Sequence, residues 1–198
     1  FVIPSQDVYI VADGGGGNKG GEIASRTAVR GIAEYVDENP IDECGDGLAI
    51  YKYFDQCLEQ VNEEVYLTGR KHTENRGMAT TVVIACIRDN TAYVVNVGDS
   101  RAYIFREGGL SQITEDHTYV NELLKRGAIT IEEAENHCQK NVITRAVGAE
   151  PSVKADFFQT KLEKDDILML CSDGLYGEVD EQKLIEILDE DDTMSGTC

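Results

Sequence analysis

A chain of 198 residues, 41% of them hydrophobic, is long enough for one large domain whose core needs no covalent staples. Its 18 Lys and Arg stand against 37 Asp and Glu, a formal charge of −19, which excludes phosphate-neutralising nucleic-acid binding and a basic membrane-surface anchor. No apolar stretch approaches the roughly 20 residues of a membrane span. The six cysteines, none in C-x-x-C spacing, point to a reducing cytoplasm rather than a disulfide scaffold or a zinc knuckle.

In chain order, the apolar run Val8-Tyr9-Ile10-Val11-Ala12 predicts a strand with little solvent on either face. Asp13 and four glycines, Gly14 to Gly17, follow at once. Residues 21–35 turn helical, with Ile23, Ala24, Ala28, Ile32 and Tyr35 on one face, and Asn39-Pro40 ends the segment. Residues 48–67 form a second helical stretch, with Ile50, Phe54, Cys57, Leu58, Val61 and Val65 at spacings of three and four. The texture then becomes β-rich. Residues 80–87 and 91–97 flank Arg88-Asp89-Asn90 as a hairpin would, and strands at 102–106 and 110–113 follow. Polar helical stretches at 116–127 and 130–137 read as an insertion, 167–171 as another buried strand, and 180–188 as a helix before an acidic end. Helices, then a strand meander, then a terminal helix predict an α+β fold rather than alternating βαβ units.

One pattern recurs three times: an apolar strand runs into an aspartate at a turn. The sites are Asp13-Gly14, Gly98-Asp99 and Ser172-Asp173-Gly174. Buried strands can deliver such carboxylates to a common point, where their repulsion calls for a hard divalent cation, Mg²⁺ or Mn²⁺. Ordinary turn chemistry is the better account of any one of them and weighs about evenly against the three together, so on the residues alone both readings stay open. His72, His117 and His137 form no helical zinc pair. Gly15-x-Gly17-x-x-Gly20 has dinucleotide-fingerprint spacing, but Asp13 would face the pyrophosphate and no parallel strand follows; Lys19-Gly20 breaks a P-loop.

Taken together and in order, Val11-Ala12-Asp13-Gly14-x-Gly16-Gly17, Gly77-Met78-Ala79-Thr80-Thr81, Val97-Gly98-Asp99-Ser100-Arg101 and Ser172-Asp173-Gly174-Leu175 resemble the motifs of the type 2C metal-dependent serine/threonine protein phosphatases. Ile113-Thr114-Glu115-Asp116-His117 and the stretch from Glu133 to Gly148 are similar to its bacterial branch. The resemblance runs from Tyr9 to Leu188. It implies a four-layer αββα sandwich of two antiparallel sheets flanked by helices. It also implies a single catalytic domain over residues 1–198, with a flap at about 114–141 beside the active site.

By the same resemblance, Asp13 bridges two Mn²⁺ or Mg²⁺ ions, Gly14 gives its carbonyl to one, and Asp173 ligates the other. Asp99, with Asp173, matches a third and weaker metal position. A water acidified between the cations would attack phosphorus without a phosphoenzyme. The implied substrates are proteins carrying phosphorylated Ser or Thr, and the implied counterpart is a bacterial serine/threonine kinase.

The sequence departs from the family pattern in four ways. It lacks the earlier strand with a phosphate-binding arginine and the later strand with an Asp-Asn pair, so the domain reads as incomplete at both ends. Gly15 and Asn18 stand where bacterial members carry other residues. A regulatory or binding module on the same fold is therefore the alternative function, and an acidic Ca²⁺-binding domain a third. The expected part of His117 is structural, in the flap hinge. Arg101 and Arg145 divide between phosphate binding and ion pairing, and the acids of residues 178–192 read as a solvated helix face.

Overall fold

The computed structural model describes residues 1–15, 19–41, 47–71 and 75–195. Gly16, Gly17, Asn18, Cys44, His72 and Cys198 lie outside the described residues. Among the described residues, ten strands and six α-helices follow one another as β1 (Val2–Ile3), β2 (Val8–Val11), β3 (Gly14–Gly15), α1 (Lys19–Glu38), α2 (Gly47–Lys71), β4 (Ala79–Thr80), β5 (Val82–Arg88), β6 (Thr91–Val97), β7 (Arg101–Arg106), β8 (Gly109–Gln112), α3 (Tyr119–Lys125), α4 (Ile131–Glu135), β9 (Asp156–Lys161), β10 (Ile167–Cys171), α5 (Asp173–Tyr176) and α6 (Glu181–Ser195).

All described pairings are antiparallel. A five-stranded sheet has the order β1-β2-β5-β6-β9, a three-stranded sheet the order β10-β7-β8, and β3 pairs with β4 in a small ribbon. Two cores fix the layering. Ala24, Ala28, Ile32 and Val36 of α1 and Phe54, Leu58, Val61 and Val65 of α2 pack on Val8, Ile10, Val82, Ile84, Val95 and Val97 of the large sheet. The opposite face of that sheet presents Tyr9, Val11, Val83, Ala85, Val94 and Phe158 to Ala102, Leu168 and Leu170 of the small one. Strand side chains alternate, so one apolar strand such as β5 serves both cores. On the far side of the small sheet, α6 lies against β8 with Leu184 buried. The order helix, sheet, sheet, helix is the expected α+β sandwich.

Local chemistry explains most boundaries. Asp89 and Asn90 sit at φ 47° and 55°, the left-handed pair that a two-residue hairpin turn requires, so Arg88 belongs to β5 rather than to the turn. Thr118 caps α3 and Thr130 caps α4 with a full capping box to Glu133, which makes both helices shorter than the polar periodicity suggests. Strand β9 and the one-turn helix α5 are additional elements that the apolar pattern does not signal. Phe157 and Phe158 face opposite cores, while Asp156, Gln159 and Lys161 dilute the run.

Candidate functional site

The three strand-end aspartates come together because of antiparallel register. Val11 at the end of β2 pairs with Val83 near the start of β5, whose Val82 pairs with Val97 at the end of β6. Cys171 at the end of β10 pairs with Arg101 at the start of β7. Asp13, Asp99 and Asp173 therefore leave the two sheets at the same end of the sandwich.

The Asp13 backbone is held on both sides. Its N–H donates to Thr81 Oγ1 at 3.1 Å, and its carbonyl accepts from Thr81 N at 2.8 Å and Thr80 Oγ1 at 2.9 Å. Gly14 then pairs with Thr80. A Cβ on Gly14 would lie 1.9 Å from the carbonyl oxygen of Gly21, so glycine lets the first turn of α1 close directly onto this ribbon.

The Asp99 turn is tied to the same threonine. Thr81 Oγ1 lies 2.6 Å from Ser100 Oγ. Gly98 adopts φ +108°, and a Cβ there would come within 2.6 Å of Thr81 Cγ2. The Gly98 carbonyl accepts from His117 N at 3.0 Å and Asn96 Nδ2 at 3.2 Å. Asn96 Nδ2 also reaches the Glu115 carbonyl at 3.2 Å, while its buried Oδ1 has no partner among the described residues, a cost incurred to hold this turn. The third acid, Asp173, opens α5 immediately after Ser172.

The electrostatics are those of converging carboxylates. Partial burial raises the pKa of Asp13, and hydrogen bonding and repulsion from Asp173 raise it further, against a lowering contact from Ser172. Asp99 is pushed up to about 6 by burial first, then by the charges of Asp173 and Asp116. Among the described residues no three His, Cys, Asp or Glu side chains close around one point as a metal cage. What the fold assembles is an all-oxygen set, a carboxylate pair flanked by a third. This donor set fits Mg²⁺ or Mn²⁺, which take one or two carboxylates and complete their shell with water and phosphate oxygens.

The segment that follows β8 is anchored to this end of the sheets. His117 is buried; its Nδ1 accepts from Gly98 N at 3.0 Å, which leaves the proton on Nε2, 3.2 Å from Asp156 Oδ2. Arg145 Nη1 donates to Asp156 Oδ1 at 2.6 Å and to the Lys154 carbonyl at 3.0 Å. Arg101 is bidentate to Asp116, with Nε–Oδ1 at 2.9 Å and Nη2–Oδ2 at 2.6 Å. His117 thus has the structural part expected of it. Both arginines are ion-paired, Arg101 with Asp116 rather than with the neighbouring Asp99. A groove of about 890 Å³ runs from Asp99 and Asp173 along α3 and α4, past Leu124 and Ile131.

Thr80, Thr81, Ser100, Ser172 and Tyr176 belong to the site, although reading the chain for acids alone passes over them. The available signal was two consecutive hydroxyls entering a wholly apolar strand, where a buried hydroxyl needs a partner.

Comparison with known proteins agrees with this geometry. The family model for protein phosphatase 2C matches residues 1–193. The chain is 38% identical over 191 residues to the serine/threonine phosphatase stp of Listeria monocytogenes, covering 96% of this chain and 75% of that protein. The structure of the S. agalactiae serine/threonine phosphatase superposes with a TM-score of 0.85 at 33% identity, covering 95% of this chain and 78% of that one. The catalytic domain of the serine/threonine protein phosphatase PstP, solved in complex with 2 manganese ions, is similar at a TM-score of 0.75 and 30% identity, over 96% of this chain and 80% of that one. Ordered motifs, sandwich architecture and a family match over residues 1–193 agree: the chain belongs to the protein phosphatase 2C family, metal-dependent protein serine/threonine phosphatases.

Proposed function

We propose that this chain hydrolyses phosphoserine and phosphothreonine in proteins with two divalent cations, Mn²⁺ or Mg²⁺, held by Asp13 and Asp173. The Gly14 carbonyl would give one further oxygen ligand, and Asp99 with Asp173 would hold a third, weaker cation. The observation that carries this reading is the convergence of Asp13, Asp99 and Asp173 at one end of the sandwich, where burial and neighbouring charge raise the carboxyl pKa of Asp13 and of Asp99. When bound, the cations supply Lewis acidity that generates a nucleophile from water and offsets charge on the phosphoryl oxygens.

The protein's own part is positional. Thr80 and Thr81 hold the Asp13 backbone, so its carboxylate is oriented in advance. Residues 114–141 act as the flap of a single catalytic domain, and the groove beneath it receives the substrate chain next to the acids. The described cysteines Cys57, Cys138 and Cys171 form no disulfide, which supports a reducing cytoplasm as the working compartment. The partners in this reading are proteins phosphorylated on Ser or Thr and a serine/threonine kinase whose work the phosphatase opposes. Phosphatase names among the relatives favour this enzyme over a regulatory module of the same fold.

The test is hydrolysis of p-nitrophenyl phosphate and of a phosphothreonine peptide. Turnover is expected to require Mn²⁺, to vanish with EDTA, and to fall by at least about 100-fold in Asp13→Ala and Asp173→Ala. Turnover that survives both the chelator and Asp13→Ala excludes the reading.

A further inference from the structure

We propose that Arg101 and Tyr176 are positioning residues that hold Asp99 in register with Asp173; this rests on reading those two aspartates as ligands of the weaker metal position. The Tyr176 hydroxyl donates to the Asp99 carbonyl at 2.9 Å. Tyr176 lies on α5, the same single turn of helix that Asp173 opens. One side chain therefore fastens the backbone of one aspartate to the element that carries the other.

The ring of Tyr176 is itself fixed. The Arg101 guanidinium lies over it with Cζ 3.6 Å from the ring centroid, a cation–π contact. Arg101 cannot swing away, because Asp116 grips Nε and Nη2 and Nη1 donates to Tyr103 Oη at 2.8 Å. With all three nitrogens engaged, Arg101 presents no free fork to a phosphoryl group. Its work is to hold the tyrosine face.

The tie is needed because Asp99 and Asp173 repel. Each carries a carboxylate at the end of a different strand, and in the absence of a cation nothing in their charges keeps them together. A hydrogen bond from one helix to the backbone of the other segment sets their separation without consuming a carboxylate oxygen. Sequence spacing contains the device: Tyr176 follows Asp173 by three residues, one helical turn, and Arg101 follows Asp99 by two.

The experiment titrates the full chain with Mn²⁺, reading free Mn²⁺ by its EPR signal, for wild type, Asp99→Asn, Tyr176→Phe and Arg101→Lys. Circular dichroism melts establish that each variant is folded. Asp99→Asn is expected to remove the weakest class of sites. Tyr176→Phe, which loses one hydroxyl and keeps the stack, is expected to retain the number of sites and weaken that class roughly three- to tenfold, leaving the tighter sites unchanged. Arg101→Lys, which keeps charge and loses the flat face, is expected to act in the same direction, and each variant is judged separately. Wild-type isotherms for Tyr176→Phe and Arg101→Lys beside an altered Asp99→Asn overturn the positioning role alone. A wild-type isotherm for Asp99→Asn removes Asp99 from the metal site, and the positioning role falls with it. Uniform weakening of every class in Tyr176→Phe marks general loss of structure and also overturns it.

Discussion

Asp13 owes its orientation to two threonines and its raised pKa to burial and to Asp173. That combination differs from a carboxylate solvated at a turn, and it supports the proposed role of Asp13 as a cation ligand. His117 shows the same division between chemistry and scaffolding. Burial, and then the charge of Arg145, lower its pKa below the ordinary 6.5, so it is neutral in the folded protein at pH 7. The unfolded chain takes up the proton first as pH falls. The stability contribution is therefore complete above pH 6.5 and is lost as pH falls through the lowered folded value. His117→Asn is expected to be less stable at pH 7.5 and to show a flatter fall in melting temperature below pH 6.5 than wild type. The difference between the two melting profiles isolates His117 from Asp99, whose raised pKa of about 6 acts with the opposite sign in the metal-free protein.

Strand ends, not strand interiors, carry the chemistry of the elements. Thr81 stands just before β5 and serves Asp13, Ser100 and the close approach of Gly98 together. Thr81→Val keeps the shape and removes the hydroxyl, leaving the Asp13 N–H short of a partner. The expected loss is about 1–3 kcal/mol of unfolding free energy, read from urea denaturation with an unchanged m-value. The strands and helices that read most clearly in the sequence, β2, β5, β6, β10, α1 and α2, are those with long apolar runs or a regular apolar face. Strand β9 was illegible because Asp156, Gln159 and Lys161 dilute two phenylalanines, and Asp156 serves Arg145 and His117 rather than the core. Helix α5 was illegible because four residues hold no periodicity. Its turn is closed by Leu175 N donating to the Ser172 carbonyl and is tied down by the bond of Tyr176 to Asp99.

At the scale of the molecule, a charge of −19 makes the folded state self-repelling, and part of that repulsion is concentrated at one end of the sandwich. A cation bound there stabilises the native state by mass action. Mn²⁺ at a hundredfold excess over its Kd is expected to add roughly 2.7 kcal/mol. For a chain of this size that is a rise in Tm of about 5–10 °C, reversed by EDTA and absent in Asp13→Ala. A differential scanning fluorimetry titration reads it. An equal rise in Asp13→Ala places the stabilising ion elsewhere on the acidic surface.

By itself the sequence determined the fold class, the main apolar elements and the three aspartates at strand ends. Those features are local: periodicity, β-branched runs and turn residues act within a few positions of one another. Their convergence was the decision of tertiary structure, because antiparallel register, not sequence distance, brings the ends of β2, β6 and β10 to one edge. The partners of Arg101, Arg145 and His117 were equally undecided until the chain packed. An arginine's fork satisfies a phosphoryl group and a carboxylate alike; only packing brought Asp116 to the fork of Arg101 and Asp156 to Nη1 of Arg145.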